Sequence, residues 1–163
     1  MLRRTYRALT ALFSDERGVA MVEMALVTPF LLVLSAGVFE FSKVLETRLL
    51  IESGVADAAR YAARCSDDQT TCDSRAKNLA TTGEVSGGNT RVAGWNSSAV
   101  TIVYNATPAV ADDGTLNYRS NTTDVLVVHV STTYDYTGTG LWSVLGLGSV
   151  TLAADHEERV IGW

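Results

Sequence analysis

"VAMVEMALVTPFLLVLSAGVF", residues 19–39, runs without a polar break into "EFSKVLETRLLIESGVADAARYAAR", residues 40–64. The first string holds 21 residues whose only charge is Glu23. As a helix it reaches about 32 Å, close to the thickness of a bilayer's hydrocarbon core. The second string keeps helical spacing: Phe41, Leu45 and Leu49 recur at intervals of four, and Val44, Ile51, Val55 and Ala59 extend the apolar side. One helix is therefore expected to continue to about Arg64, its first half in lipid and its second half amphipathic. Pro29 removes a backbone donor and crowds the preceding turn, which predicts a kink in the membrane half. Glu23 is the anomaly. An ionisable side chain in a bilayer span costs roughly 2.5–3.5 kcal/mol even on the lenient insertion scale, so a role for it is the first hypothesis.

Working outward, four arginines (Arg3, Arg4, Arg7 and Arg17) precede the apolar string and an acidic body follows it. Without Arg3, Arg4, Arg7, Arg17, Asp15 and Glu16, the remainder carries 9 basic against 16 acidic side chains. The asymmetry places the N-terminus in the cytoplasm and the body outside. An acidic body argues against nucleic-acid binding, which rests on Lys and Arg neutralising phosphates. The 163 residues are enough for one compact domain plus an appended element. An ordinary signal anchor or a removable signal peptide would read similarly, and Ser35 and Gly37 offer small residues for a signal-peptidase site.

Beyond Cys65 the composition shifts to Ser, Thr, Asn, Gly and β-branched residues, and strands and turns are expected to take over. "AVTIVYN" places Val100, Ile102 and Tyr104 on one face, and "DVLVVHVSTTYDY" does the same with Leu126, Val128, Val130, Thr132 and Tyr134. A third strand starts at "SVTLAA" and continues toward "ERVIGW", with turn chemistry at residues 86–89, 112–115 and 137–141. The expected fold class is α+β: a small antiparallel sheet packed on the amphipathic half of the long helix.

Cys65 and Cys72 enclose "SDDQTT" where the helix should end, and fit neither a CxxC nor a zinc spacing. In an oxidising compartment they are expected to form a disulfide. Asp67, Asp68 and Asp73 invite a calcium reading, but the EF-hand spacing is absent and solvated turn acids are the simpler account. No other metal and no cofactor is implied. His129 and His156 accompany no GxSxG elbow and no HExxH motif. His129 is expected to face solvent on a strand and His156 to sit at an exposed strand end or turn, so an enzyme is not expected. Asn96, Asn105 and Asn121 open Asn-x-Ser/Thr sequences that chance supplies in an Asn/Thr-rich surface.

The stretch "RGVAMVEMALVTPFLLVLSAGVFEFSKVLETRLLIESGVADAARYAA" resembles the type IV pilin superfamily, and more narrowly the TadE-like pseudopilins of tight adherence (Tad) pili. The resemblance is carried by an Arg-Gly junction, a Glu five residues beyond the glycine, an apolar run with proline, and "VFEFSK" leading into an Ala-rich helix. It implies a pilin-like plan in four parts: a cytoplasmic prepilin leader (1–18), the transmembrane part of the helix (19–39), an amphipathic extracytoplasmic helix (40–65) and a β-rich body (66–163). It also implies that a prepilin peptidase cuts between Gly18 and Val19, leaving Glu23 at the fifth mature position to pair with an N-terminal amine during assembly. Met24 departs from the relatives, where an aromatic residue commonly follows this glutamate. Because major Tad pilins are typically very short, a sizeable body implies a minor pseudopilin of an adhesive pilus. The implied partners are the peptidase, major and minor pilin-like subunits, the inner-membrane assembly platform and membrane lipid. The rival reading is a membrane-anchored extracytoplasmic binding module that never enters a filament.

Overall fold

The computed structural model describes residues 16–120, 123–138, 140 and 148–161. Residues 1–15 of the expected leader, Asn121, Thr139 and Leu141 of the third expected turn, and Gly162 and Trp163 of the third expected strand lie outside them. The described chain forms two compact units, Met1–Phe41 and Ser42–Trp163.

Helix α1 (Glu16–Ala62) is 47 residues long and runs through Pro29. In the first unit its residues 18–35 are all exposed, because every face carries apolar side chains and no other described element of that unit meets them. In the second unit the same helix is two-sided. Ile51, Val55, Ala58, Ala59 and Ala62 are buried, while charged pairs lie on the outer surface: Lys43 Nζ to Glu46 Oε2 at 2.7 Å and Arg48 Nε to Glu52 Oε1 at 2.8 Å. The helix stops two residues before the expected Arg64, in a turn closed by Arg64 N–H donating to Tyr61 O at 3.1 Å.

Residues 69–82 depart from the expectation of strands and turns directly after Cys65: they form a second helix, α2 (Gln69–Thr82). Its signals are local. Asp68 caps it, its carboxylate accepting from Thr71 N–H, and Gly83 ends it at φ 85°, a left-handed conformation that glycine adopts without steric cost. Its buried face is made of small residues, Cys72, Ala76, Ala80 and Thr81, so it lacks the large apolar residues that advertise a helix.

A loop and a single 3-10 turn (Ser97–Ala99) lead into the sheet. Strands β1 (Val100–Pro108), β2 (Asp124–Tyr136) and β3 (Val150–Arg159) are antiparallel in the order β1-β2-β3. The register pairs Ile102 with Val130 and Tyr104 with Val128, and on the other side Thr132 with Ala154. Val100, Val128, Val130, Leu152 and Ala154 thus share one buried face, which packs on α1 and α2. The alternation expected for β1 and β2 is present, except that Leu126 is 44 % exposed at the end of β2. Val125 and Val127, on the opposite face, are buried as well. Beside them the segment after β1 folds back on itself, with Tyr118 N–H donating to Ala109 O and Arg159 Nη1 to Arg119 O.

Trp95 sits at the centre, fully buried, between the helices and β2. Its indole N–H donates to Thr132 Oγ1 at 3.0 Å, and that hydroxyl donates to Ala99 O at 2.8 Å, so the polar edge of a large ring is satisfied inside the core. Gly54 makes room for it. A Cβ there would lie 2.3 Å from Ala80 O and 2.8 Å from Trp95 Cη2.

Candidate functional site

Glu23 and its surroundings are the residues with a chemical problem to solve. Val19 and Glu23 stand one turn apart on α1, and with Gly18, Val22 and Leu26 they line one shallow groove. Glu23 is exposed, as are Val19 (65 %), Met24 (65 %) and Phe30 (65 %), so a carboxylate is displayed on an apolar surface that no other described element of the first unit covers. Elsewhere the segment looks after its own polar groups: the Thr28 hydroxyl donates to Met24 O at 2.6 Å. Pro29 has no N–H, which leaves the carbonyl of Ala25 without its usual helical donor. An apolar helix of this length and composition is able to cross a membrane as a single N-terminal anchor.

The apolar surface does not stop at residue 39. Phe41 (62 %), Leu45 (45 %) and Leu49 (65 %) are exposed, which corrects the expectation that they belong to the face packed on the body. That face is Ile51, Val55 and Ala59, as the apolar spacing predicts, together with Ala58 and Ala62, about a third of a turn round the helix from the exposed stripe. Small side chains allow the sheet and α2 to approach closely, and the large residues are left outside. Glu40, which the sequence reading did not single out, is 4 % exposed.

The remaining candidates resolve into structure. Cys65 and Cys72 are joined, with Cα atoms 5.8 Å apart, tying the end of α1 to the first turn of α2. The three acids of the calcium reading each have a protein partner. Asp68 accepts from Thr71 N–H at 2.9 Å and from the hydroxyls of Thr70 and Thr71, Asp67 pairs with Arg75, and Asp73 accepts from Tyr104 OH at 2.9 Å. Led by the Thr70 hydroxyl and then by the Thr71 bonds, these contacts lower the Asp68 carboxyl to about 2. Burial, aided by the bond to Asp73, pushes the Tyr104 hydroxyl up to about 12. Among the described residues, no group of three or more His, Cys, Asp or Glu side chains is placed to hold a metal ion.

His129 lies on the outer sheet face with Nε2 3.6 Å from Asp155 Oδ2, and the hydroxyl residues Thr101, Ser131 and Thr133 line the same shallow depression. His156 is not at a strand end: it is inside β3, opposite Val130, with Nε2 3.5 Å from Glu158 Oε2. The sequence reading also missed the clasp made by Arg91. Its guanidinium donates to Asp57 Oδ2 at 2.8 Å and Ser53 Oγ at 3.2 Å, holding the loop after α2 against α1. Ser53 and Asp57, four residues apart on a helix, were the available signal.

The family model of TadE-like proteins matches residues 18–60, the span that contains Gly18, Val19, Glu23, Pro29 and the exposed apolar stripe. No curated protein and no solved structure matches the chain.

Proposed function

We propose that this chain, TadE-like over residues 18–60, is a minor pseudopilin: a non-enzymatic structural subunit needed for assembly, initiation or the tip of a Tad-type adhesive pilus. A prepilin peptidase cuts between Gly18 and Val19 on the cytoplasmic side, and the helix stays in the inner membrane with the body in the periplasm or outside. The subunit then joins other pilin-like subunits at the inner-membrane assembly platform.

The observation that carries this reading is the bare surface of α1. Within the first unit residues 18–35 are exposed on every side, and along the same helix Phe41, Leu45 and Leu49 are exposed large apolar residues too. A plain anchor needs apolar surface in lipid only, whereas helices that pack together in a bundle need it further along. Glu23 then has a use. Cleavage before Val19 creates an α-amino cation one turn away, and the carboxylate neutralises the amine of its own or a neighbouring subunit as both leave water. Such a pair specifies register more than it adds net stability, but removing one partner costs about 3–5 kcal/mol.

The test compares Glu23→Ala and Glu23→Leu with the parent for membrane level, processing and co-purification of other pilin-like subunits. A plain anchor tolerates either change, since each removes an expensive group from the span. The pseudopilin reading predicts normal insertion and a mature N-terminus at Val19, with pilus formation or co-purification abolished. A mature chain that begins at Met1 or near Val38 overturns the processing, and normal assembly of the variants overturns the charge pair.

A further inference from the structure

We infer that Cys65 Sγ is the sulfur through which the disulfide exchanges with small anionic thiols and their disulfides, and that Cys72 is the internal partner that leaves or returns. This goes beyond the pilus reading and does not depend on it. The two sulfurs differ in access. Cys65 lies in the turn after α1 and is partly exposed, whereas Cys72 is on the inward face of α2 and 3 % exposed. Thiol–disulfide exchange proceeds by attack on one sulfur along the line of the S–S bond, so the position from which it is approached decides which sulfur reacts. Attack on Cys65 comes from the side away from the buried Cys72, and Cys65 lines a surface depression. An in-line attack on Cys72 would have to come from within the body, where Ala76 and Ala80 of the same helix face are fully buried.

Charge favours the same sulfur. Cys65 shares a surface depression with Arg60, Tyr61 and Arg64, so two arginines line the depression that it opens into. Asp57, which pairs with Arg60 at 3.7 Å, is held more closely by Arg91 at 2.8 Å, and Asp67 in the loop pairs with Arg75. A positive margin attracts a thiolate nucleophile and stabilises the thiolate that Cys65 becomes.

In the reducing direction an external thiolate attacks Cys65 Sγ, and the electron pair of the Cys65–Cys72 bond leaves on Cys72 Sγ, which takes up a proton. A second external thiolate attacks the sulfur of the first, releasing Cys65 as a thiolate and an external disulfide. Two external thiols are oxidised and the cysteine pair is reduced. The oxidising direction is the reverse.

The experiment uses the full chain in detergent micelles with its native cysteines. Glutathione is added, the reaction is quenched early by acid, and peptide mapping locates the glutathione of the mixed disulfide. The expected result is glutathione on Cys65 over Cys72 by at least about tenfold, the access difference read as a rate ratio. Equal labelling, or more on Cys72, overturns the assignment. The arginines are tested separately with Arg60→Ser/Arg64→Ser: the rate with glutathione falls roughly threefold at low salt while the rate with cationic cysteamine does not fall. An unchanged glutathione rate overturns the electrostatic part and leaves access to carry the preference.

Discussion

Residues 19–39 and residues 42–62 of α1 are of equal length and equally helical, yet one stretch is bare and the other is half covered. The difference lies in where side-chain volume is placed. The first stretch distributes Leu, Val, Met and Phe around the whole circumference, so no single face is marked for a partner within the chain. The second concentrates Ile51, Val55 and alanines on one face, where they meet β-strand valines and Trp95, and puts Lys43, Glu46, Arg48 and Glu52 on the other. Helix formation is common to both. Burial is decided by whether small residues let another element come close, and the region built of large apolar residues is the one that waits for lipid or another helix.

The largest effect expected from this contrast is at Trp95. Trp95→Ala removes a fully buried ring at the junction of helices and sheet and should destabilise the body by about 3–5 kcal/mol. Phe30→Ala removes an aromatic ring that is 65 % exposed and should change body stability by less than about 0.5 kcal/mol. Amide exchange of β2 under increasing denaturant measures both in the full-length chain. Comparable losses for the two variants would break the comparison, because the bare stretch would then be part of the fold.

Next in size is a pair of glycines on the same helix. Gly54→Ala brings a Cβ to 2.3 Å from the carbonyl oxygen of Ala80, which is backbone and yields little. The helix gains from alanine by roughly 1 kcal/mol, but the forced separation of α1 from α2 outweighs that gain, for a net loss of about 1–3 kcal/mol. Gly37→Ala meets nothing within 4 Å and leaves the body unchanged. Thermal unfolding of the two variants side by side sharpens the comparison, and a stabilised Gly54→Ala chain would show that α2 is less closely docked than its distances imply.

Much of this was legible in the residues. The long helix, the three strands and their inward alternation follow from periodicity, and Glu23 stands out because a span seldom keeps an acid. What stayed hidden has one physical cause: close packing by small residues. The helix of Gln69–Thr82 buries only Cys72, Ala76, Ala80 and Thr81, so its pattern is faint, although Asp68 and Gly83 mark both its ends. Of the apolar side read from the spacing, Ile51, Val55 and Ala59 are buried with Ala58 and Ala62, while the larger stripe of Phe41, Leu45 and Leu49 is left outside. Trp95 gave no sign of its place, because only the fold brings Gly54, Ala80 and Thr132 around it.

The smallest effect expected is at Asp68, where the cap of α2 depends on charge. The carboxyl is held at about 2 by the Thr70 and Thr71 bonds, against about 4 in an unfolded chain. Because the folded value is the lower one, the ionised cap favours the folded state. Its contribution is complete above about pH 4 and is lost as pH falls through about 2. The group is exposed, so water screens it and the gain is modest. The Cys65–Cys72 disulfide also survives acid and keeps α2 tethered to α1. Acid should therefore fray the first turn of α2 without unfolding the body. Protection of the Thr71 amide, the one Asp68 caps, should fall between pH 4 and 2 in the parent chain, relative to a β2 amide in the same sample. Asp68→Asn retains an oxygen acceptor but has no carboxyl to titrate, so its Thr71 amide should show no such fall. Asp113 is lowered as well, by its bonds to Thr115, so a global acid midpoint would mix two loops and only the local amide separates them. If parent and Asp68→Asn lose Thr71 protection together, the small-residue helix is held by its docking and its disulfide alone, and the cap is incidental to it.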